Sequence, residues 1–154
     1  MTKLVDVFNG QYLFLSNFFP VDLQVKIEDL ELTMPTVEHA FQAAKGRTKA
    51  EWIYLSEVPA HRANMAKRRG RSLFLRPDWE LVKISVMSDL ISQKFDKDRN
   101  PKLYDSLQQL HGAYLEEGNN WHDNEWGNCH CPRCKNTNGK NLLGLLLMRE
   151  GGWL

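Results

Sequence analysis

The sequence predicts a mainly helical α+β fold, a single domain over residues 1–154 with a small N-terminal β-hairpin or sheet. Three observations predict it. Apolar and polar residues alternate across residues 23–34, a wide apolar helical face runs through residues 77–95, and several shorter stretches carry helix start and stop signals. Together these place a short sheet beside a predominantly helical layer.

Taken in order, residues 12–19 are rich in aromatics, stop at Pro20 and read as extended. Leu23, Val25 and Ile27, then Leu30, Leu32 and Met34, alternate with polar residues about Glu28-Asp29, the period-2 pattern of a half-buried hairpin. Thr36 suits the N-cap of a short helix and Gly46 its end. Thr48 caps a second helix containing Trp52 and Leu55, and Pro59 opens a third that passes Ala63 and Ala66 to Gly70. The longest helix is expected over residues 77–95, with Val82, Val86, Leu90 and Lys94 in one row and Met87, Ile91 and Phe95 in the next. Asn100-Pro101 begins another, turning Leu103, Leu107 and Leu110 inward. Gly and Asn clusters follow His111, and Asn141 caps a last helix over residues 142–149.

Composition narrows the function. A net charge of +1, with 25% charged residues spread along the chain, gives no extended nucleic-acid-binding face, although a single nucleotide or modified base is compatible with it. No apolar run approaches the roughly 18 residues of a membrane span, and the N-terminus lacks the apolar run of a signal peptide. The 3 cysteines fall within six residues of one another and suit a reducing compartment, so a cytoplasmic location is expected.

The segment Pro35-Thr-Val-Glu-His-Ala-Phe-Gln-Ala-Ala-Lys45 concentrates the chemistry. Seven helical positions return to within about 20° of the starting direction, so Glu38 and Lys45 share a face with Phe41 and Gln42 between them. A carboxylate, an amine and an aromatic ring are the beginnings of a site for a polar ligand with a flat ring. The bland alternative is a helix salt bridge or a solvated helix face.

In FLSNF at 14–18, T-x-EH-x-FQ-x-xK at 36–45, GR at 70–71, Trp79 and a KF pair at 94–95, the chain resembles the NADAR family of YbiA-like proteins. LEEGN at 115–119, D-x-x-WG at 123–127 and GKNLLGLLLMR at 139–149 extend the resemblance along the chain. It implies an N-glycosidase that cleaves the bond between a ribosyl carbon and a nitrogen of a base. The substrates it implies are phosphoribosylamino-pyrimidine intermediates of riboflavin synthesis or ADP-ribose attached to guanine, and no cofactor is required for the chemistry.

Such cleavage passes through an oxocarbenium-like state, which needs a carboxylate near the anomeric carbon, or through an imine, which needs an amine or a proton shuttle. Glu38 is the candidate for acid–base and charge-stabilising work, and Lys45 for nucleophile or proton donor. The resemblance implies a Schiff base on Lys45, which requires a neutral amine. His39 points away from Glu38 and reads as a structural donor. Asn17 is a candidate for a ribose hydroxyl or base edge, or else a turn residue. Arg71, ending the basic run of residues 67–71, suits a phosphate, against the alternative of a solvated helix end. Trp126 offers a face on which a base can stack. Asp123 is a candidate for holding a ribose hydroxyl or orienting water, or else an Asx-turn. Glu116, Asn119 and Asn120 read as lining or loop-bracing residues.

Cys129, Cys131 and Cys134 form a knuckle of the kind that holds structural zinc, with His122, His130 or His111 to complete it; reduced thiols in a loop are the alternative. A metal-independent N-glycosidase is the leading reading. A non-catalytic ADP-ribose or nucleotide-binding module, and a zinc-stabilised nucleic-acid adaptor, are the others.

Overall fold

The computed structural model describes residues 2–154, an α+β fold whose chain divides into two compact units. One unit is Asn17–Lys94; the other combines the chain up to Ser16 with Phe95–Leu154.

In the Asn17–Lys94 unit, β1 (Leu23–Ile27) and β2 (Leu30–Met34) pair antiparallel with Leu23 opposite Met34 and Ile27 opposite Leu30, the register that the alternation predicts. Leu23 and Met34 are fully buried at the open end of the hairpin. Glu28 turns the chain with φ at +52°, and Lys49 holds the turn by contacts of 3.2 Å to Glu28 and 2.6 Å to Asp29. Helix α1 (Val37–Ala44) follows, then α2 (Lys49–Glu57), capped by Thr48, and α3 (Ala63–Gly70), led in by a 3-10 turn at Ala60–Arg62. Helix α4 (Trp79–Lys94) buries Trp79, Met87, Leu90, Ile91 and Lys94. The expected row of Met87, Ile91 and Phe95 is buried throughout, and of the other row Leu90 and Lys94 are buried while Val82 and Val86 are only half-buried. Helix α1 is the hub of this unit, packed by α2, α3, α4 and the hairpin.

In the other unit, Gly10–Leu15 forms a 3-10 helix, which corrects the extended reading of the start of the aromatic run. Gly10 at φ +54° turns the chain into it, and Tyr12 N donates to Asn9 O at 2.9 Å, so local hydrogen bonds outweigh the strand preference of the aromatics. Two parallel pairs of very short strands add to it: β3 (Leu4–Val5) with β4 (Tyr114–Leu115), and β5 (Gly118–Asn119) with β6 (Asn128–Cys129). Helix α5 (Pro101–Gln108) buries Leu107, with Leu110 buried just beyond it. Helix α6 (Leu142–Glu150) packs on β4.

Asn141 does not cap α6 through its side chain. It sits in the left-handed region at φ 52°, ψ 42°, and its carboxamide donates to Leu115 O at 2.9 Å and accepts from Glu117 N at 3.0 Å. Bracing the neighbouring strand thus replaces capping. Among the described residues no helix is long and apolar enough to cross a membrane.

Candidate functional site

Thr36 begins α1 in extended conformation, and its hydroxyl accepts from His39 N at 3.1 Å and meets His39 Nδ1 at 2.7 Å. This cap fixes the first turn and orients the imidazole. Burial pushes the His39 pKa down, while the Val58 and Pro59 backbone pulls weakly the other way. The ring is fully buried and serves structure, as expected from its direction on the helix.

All eight residues of α1 are buried, so this is neither a solvated face nor an ordinary amphipathic surface helix. Glu38 is only 7% exposed and Gln42 4%. A carboxylate in such surroundings needs hydrogen bonds to remain there. Gln42 Nε2 donates one to Glu38 Oε1 at 2.7 Å across one helical turn. Gln42 Oε1 is itself buried with no hydrogen-bond partner. Asn17 is buried too, and its carbonyl accepts from Glu38 N at 3.0 Å. Its carboxamide faces the Met87 thioether at 3.6 Å, a weak acceptor that a polar ligand atom readily outcompetes.

Gly70 explains how α3 approaches this pair. A Cβ there would lie 1.8 Å from Gln42 Oε1 and 2.6 Å from its Cδ, so only glycine leaves the carboxamide room. Gln42 and Gly70 are thus supports of Glu38: the sequence places Gln42 on the Glu38 face and Gly70 at a helix end, and assigns neither this role.

Lys45 directly follows α1 in helical conformation, half-buried, with Nζ 5.6 Å from the Phe41 ring centroid. Phe41 leans on Trp79 at 5.0 Å, which fixes the ring beneath the amine. The Lys45 carbonyl accepts from Arg76 N at 2.9 Å. Arg76 forms a bidentate pair with Asp78 at 2.6 and 2.9 Å, which raises the guanidinium pKa and lowers the carboxyl. Arg71 is exposed at the end of α3. Within the same basic run Arg69 is committed to Glu51 at 2.7 Å. Lys94, assigned from sequence to an apolar row, is a lysine only 1% exposed, with Nζ 5.6 Å from the Phe19 ring.

The loop of residues 116–131 belongs to the other unit. Asp123 Oδ1 accepts from Glu125 N at 3.1 Å and Trp126 N at 3.0 Å, the Asx-turn alternative for this residue. Asn119, buried, accepts from Trp121 N and Asp123 N and donates to Asp123 O, so it braces the loop. Gly127 lets the chain pass Glu117, whose carbonyl would stand 2.2 Å from a Cβ. Trp126 is half-buried, and its carbonyl accepts from Leu143 N at 3.0 Å, tying the loop to α6.

The metal-ligating atoms of His122, Cys129, Cys131 and Cys134 lie within 4.8 Å of one another. Burial pushes the Cys129 thiol up, but hydrogen bonding from Cys131, His122 and Cys134 holds it below its ordinary value; burial pushes Cys134 up. Of the other histidines considered, His130 is engaged by Glu116 at 2.7 Å and His111 packs on the Trp153 ring at 5.2 Å.

The NADAR domain profile matches residues 7–150. A maize chloroplastic riboflavin biosynthesis protein, PYRR, is 33% identical over 96% of the chain, which spans only 23% of that relative's length. The N-glycosidase YbiA of Shigella flexneri is 33% identical over 75% of the chain and 68% of its own length. The NMR structure of Escherichia coli YbiA superposes with a TM-score of 0.76 at 30% identity, covering 98% of this chain and 84% of that one.

Proposed function

The chain belongs to the NADAR domain family, and from that premise we propose that it is an N-glycosidase hydrolysing the ribosyl C1–N bond of a ribosylated base or pyrimidine. The observation that carries the reading is a carboxylate, Glu38, buried and hydrogen-bonded by Gln42 on a helix whose C-cap is Lys45, seven positions on. The YbiA relatives' name supports the reaction class, and the maize relative's name supports a phosphoribosylamino-pyrimidine as one substrate class. ADP-ribosylated guanine is the other.

Glu38 is the acid–base and charge-stabilising group under either route. A carboxylate fixed in low-dielectric surroundings stabilises positive charge developing at C1 more strongly than one in water. Lys45 is the proposed nucleophile. Its amine stands 5.6 Å from the Phe41 ring centroid, a cation–π contact worth about 0.5–1 kcal/mol. Neutral Nζ bonds to C1 as the C1–N bond breaks, and the departing nitrogen takes a proton. Opening of the ribose ring then gives the Schiff base. Water adds at C1, the C1–Nζ bond breaks, and free sugar and regenerated lysine result, with Glu38 moving the protons. Asn17 is proposed to meet a ribose hydroxyl or base edge, Arg71 a phosphate, Trp126 a base face, and Asp123 a ribose hydroxyl through the carboxylate oxygen not spent on the turn.

Incubation with ADP-ribosylated guanosine and, separately, with phosphoribosylamino-pyrimidines tests the reading by chromatography of released base and sugar. Release from either class is the expected result. Tight binding with no release from any ribosylated base would replace the enzyme with a binding module.

A further inference from the structure

We propose that His122, Cys129, Cys131 and Cys134 form a structural zinc site and that the metal fixes the loop bearing Asp123 and Trp126. Sequence left three histidines open for the fourth position. The geometry points to His122: its Nδ1 lies 3.3 Å from Cys131 Sγ and 3.4 Å from Cys134 Sγ. Zinc bonds of about 2.3 Å to sulfur and about 2.0–2.1 Å to nitrogen give tetrahedral edges of about 3.6 Å for N···S and about 3.8 Å for S···S. A metal therefore enters this cluster with shifts of a few tenths of an ångström along these two N···S edges and, since the ligand atoms lie within 4.8 Å of one another, about 1 Å at most along the others.

The backbone is shaped for the purpose. His122 adopts φ +69°, a conformation a residue with a Cβ rarely takes, and that twist accompanies an imidazole turned to the sulfurs. Cys131 precedes and Cys134 ends a 3-10 turn at Pro132–Cys134, with Cys134 N donating to Cys131 O at 3.0 Å, while β6 delivers Cys129. Two donors address the sulfurs: His122 N lies 3.3 Å from Cys129 Sγ and Asn124 Nδ2 3.4 Å from Cys134 Sγ. Such hydrogen bonds support thiolates bound to metal. Asn124 Oδ1 also accepts from Cys129 N at 2.9 Å, so the same side chain joins the ligand cluster to the loop.

Four protein ligands leave no open position for substrate or water, which makes the site structural. Binding takes three thiolates and a neutral imidazole, and releases the thiol protons to solvent. Because His122 immediately precedes Asp123, the metal anchors one end of the segment whose Asx-turn positions Trp126.

The test reads metal without substrate, so its outcome is separable from that of the N-glycosidase assay. Protein purified under reducing conditions from zinc-supplemented cells should carry one zinc per chain by native mass spectrometry. Cobalt substitution should give thiolate-to-metal charge transfer and strong tetrahedral d–d bands. His122→Asn should weaken zinc binding about tenfold or more, with His130→Asn leaving it unchanged. Chelation should speed hydrogen exchange over residues 119–127. Little or no zinc, with all three thiols freely titrating, overturns the site. Equal losses in the two histidine variants overturn the assignment of His122. Unchanged exchange after metal removal overturns the link to the loop.

Discussion

Gly70→Ala is the substitution whose consequence follows most directly from the packing of α3 on α1. The new methyl would stand 1.8 Å from Gln42 Oε1, well over an ångström inside the 3.4 Å at which ordinary contact begins. Gln42 is 4% exposed and its Nε2 is held by Glu38, so the carboxamide yields only by breaking that bond or by forcing the helices apart. Overpacking costs about 1–3 kcal/mol and a hydrogen bond to a charged group about 1.5–3 kcal/mol, against about 0.5–1 kcal/mol gained from alanine's helix preference. Whichever way the clash is relieved, the expected net loss is about 0.5–2.5 kcal/mol of stability, read by urea unfolding. Losing the Glu38 contact should lower kcat/KM on a ribosylated base about ten- to a hundredfold. Adding Gln42→Ala removes the clashing atoms and leaves a Cβ contact of 3.2 Å. Stability of the double variant should exceed the additive expectation by about 1–3 kcal/mol, while activity stays low. A Gly70→Ala protein with wild-type stability and wild-type turnover would show that the close approach of Gly70 to Gln42 does not hold Glu38 in place.

Other consequences are as direct. The buried His39 has a pKa below its ordinary 6.5, so between those two values the unfolded chain binds more protons than the folded one. Stability contributed by His39 is therefore complete above about pH 6.5 and is lost as pH falls through the folded pKa. Urea midpoints at about pH 7.5 and about pH 5.5 should diverge less in His39→Gln than in the wild type. Borohydride added during turnover should trap a sugar adduct on Lys45, identified by peptide mass; Lys45→Arg should give neither adduct nor turnover. Turnover with no adduct would move the chemistry to the oxocarbenium route.

The hairpin was legible because one face is buried: Leu23 and Met34 anchor a period-2 pattern that allows one register. Helix α1 was legible from Thr36, whose cap is made as expected. The 3-10 helix at Gly10–Leu15 was not, since a run of mixed aromatics carries no period and its direction depends on Gly10's positive φ. Two-residue parallel strands such as Gly118–Asn119 are too short to carry any pattern. The i,i+7 spacing brought Glu38 and Lys45 to notice, but it says nothing of burial, and burial is what separates a dry carboxylate from a surface ion pair. Gln42's role depends on Gly70, 28 positions along the chain, a proximity that only folding reveals. His122 was one of three candidates until its left-handed backbone turned its ring to the thiols.

The buried carboxylate of α1 is the group proposed to perform the hydrolysis. Single-turnover release of base from a ribosylated substrate, wild type beside Glu38→Gln, tests it most directly. Glutamine keeps the shape and accepts from Gln42 Nε2 through its carbonyl, so folding and substrate affinity should be preserved. Release should fall by about a hundredfold or more, within the range that loss of one acid–base group produces. Release by Glu38→Gln at the wild-type rate would contradict the account.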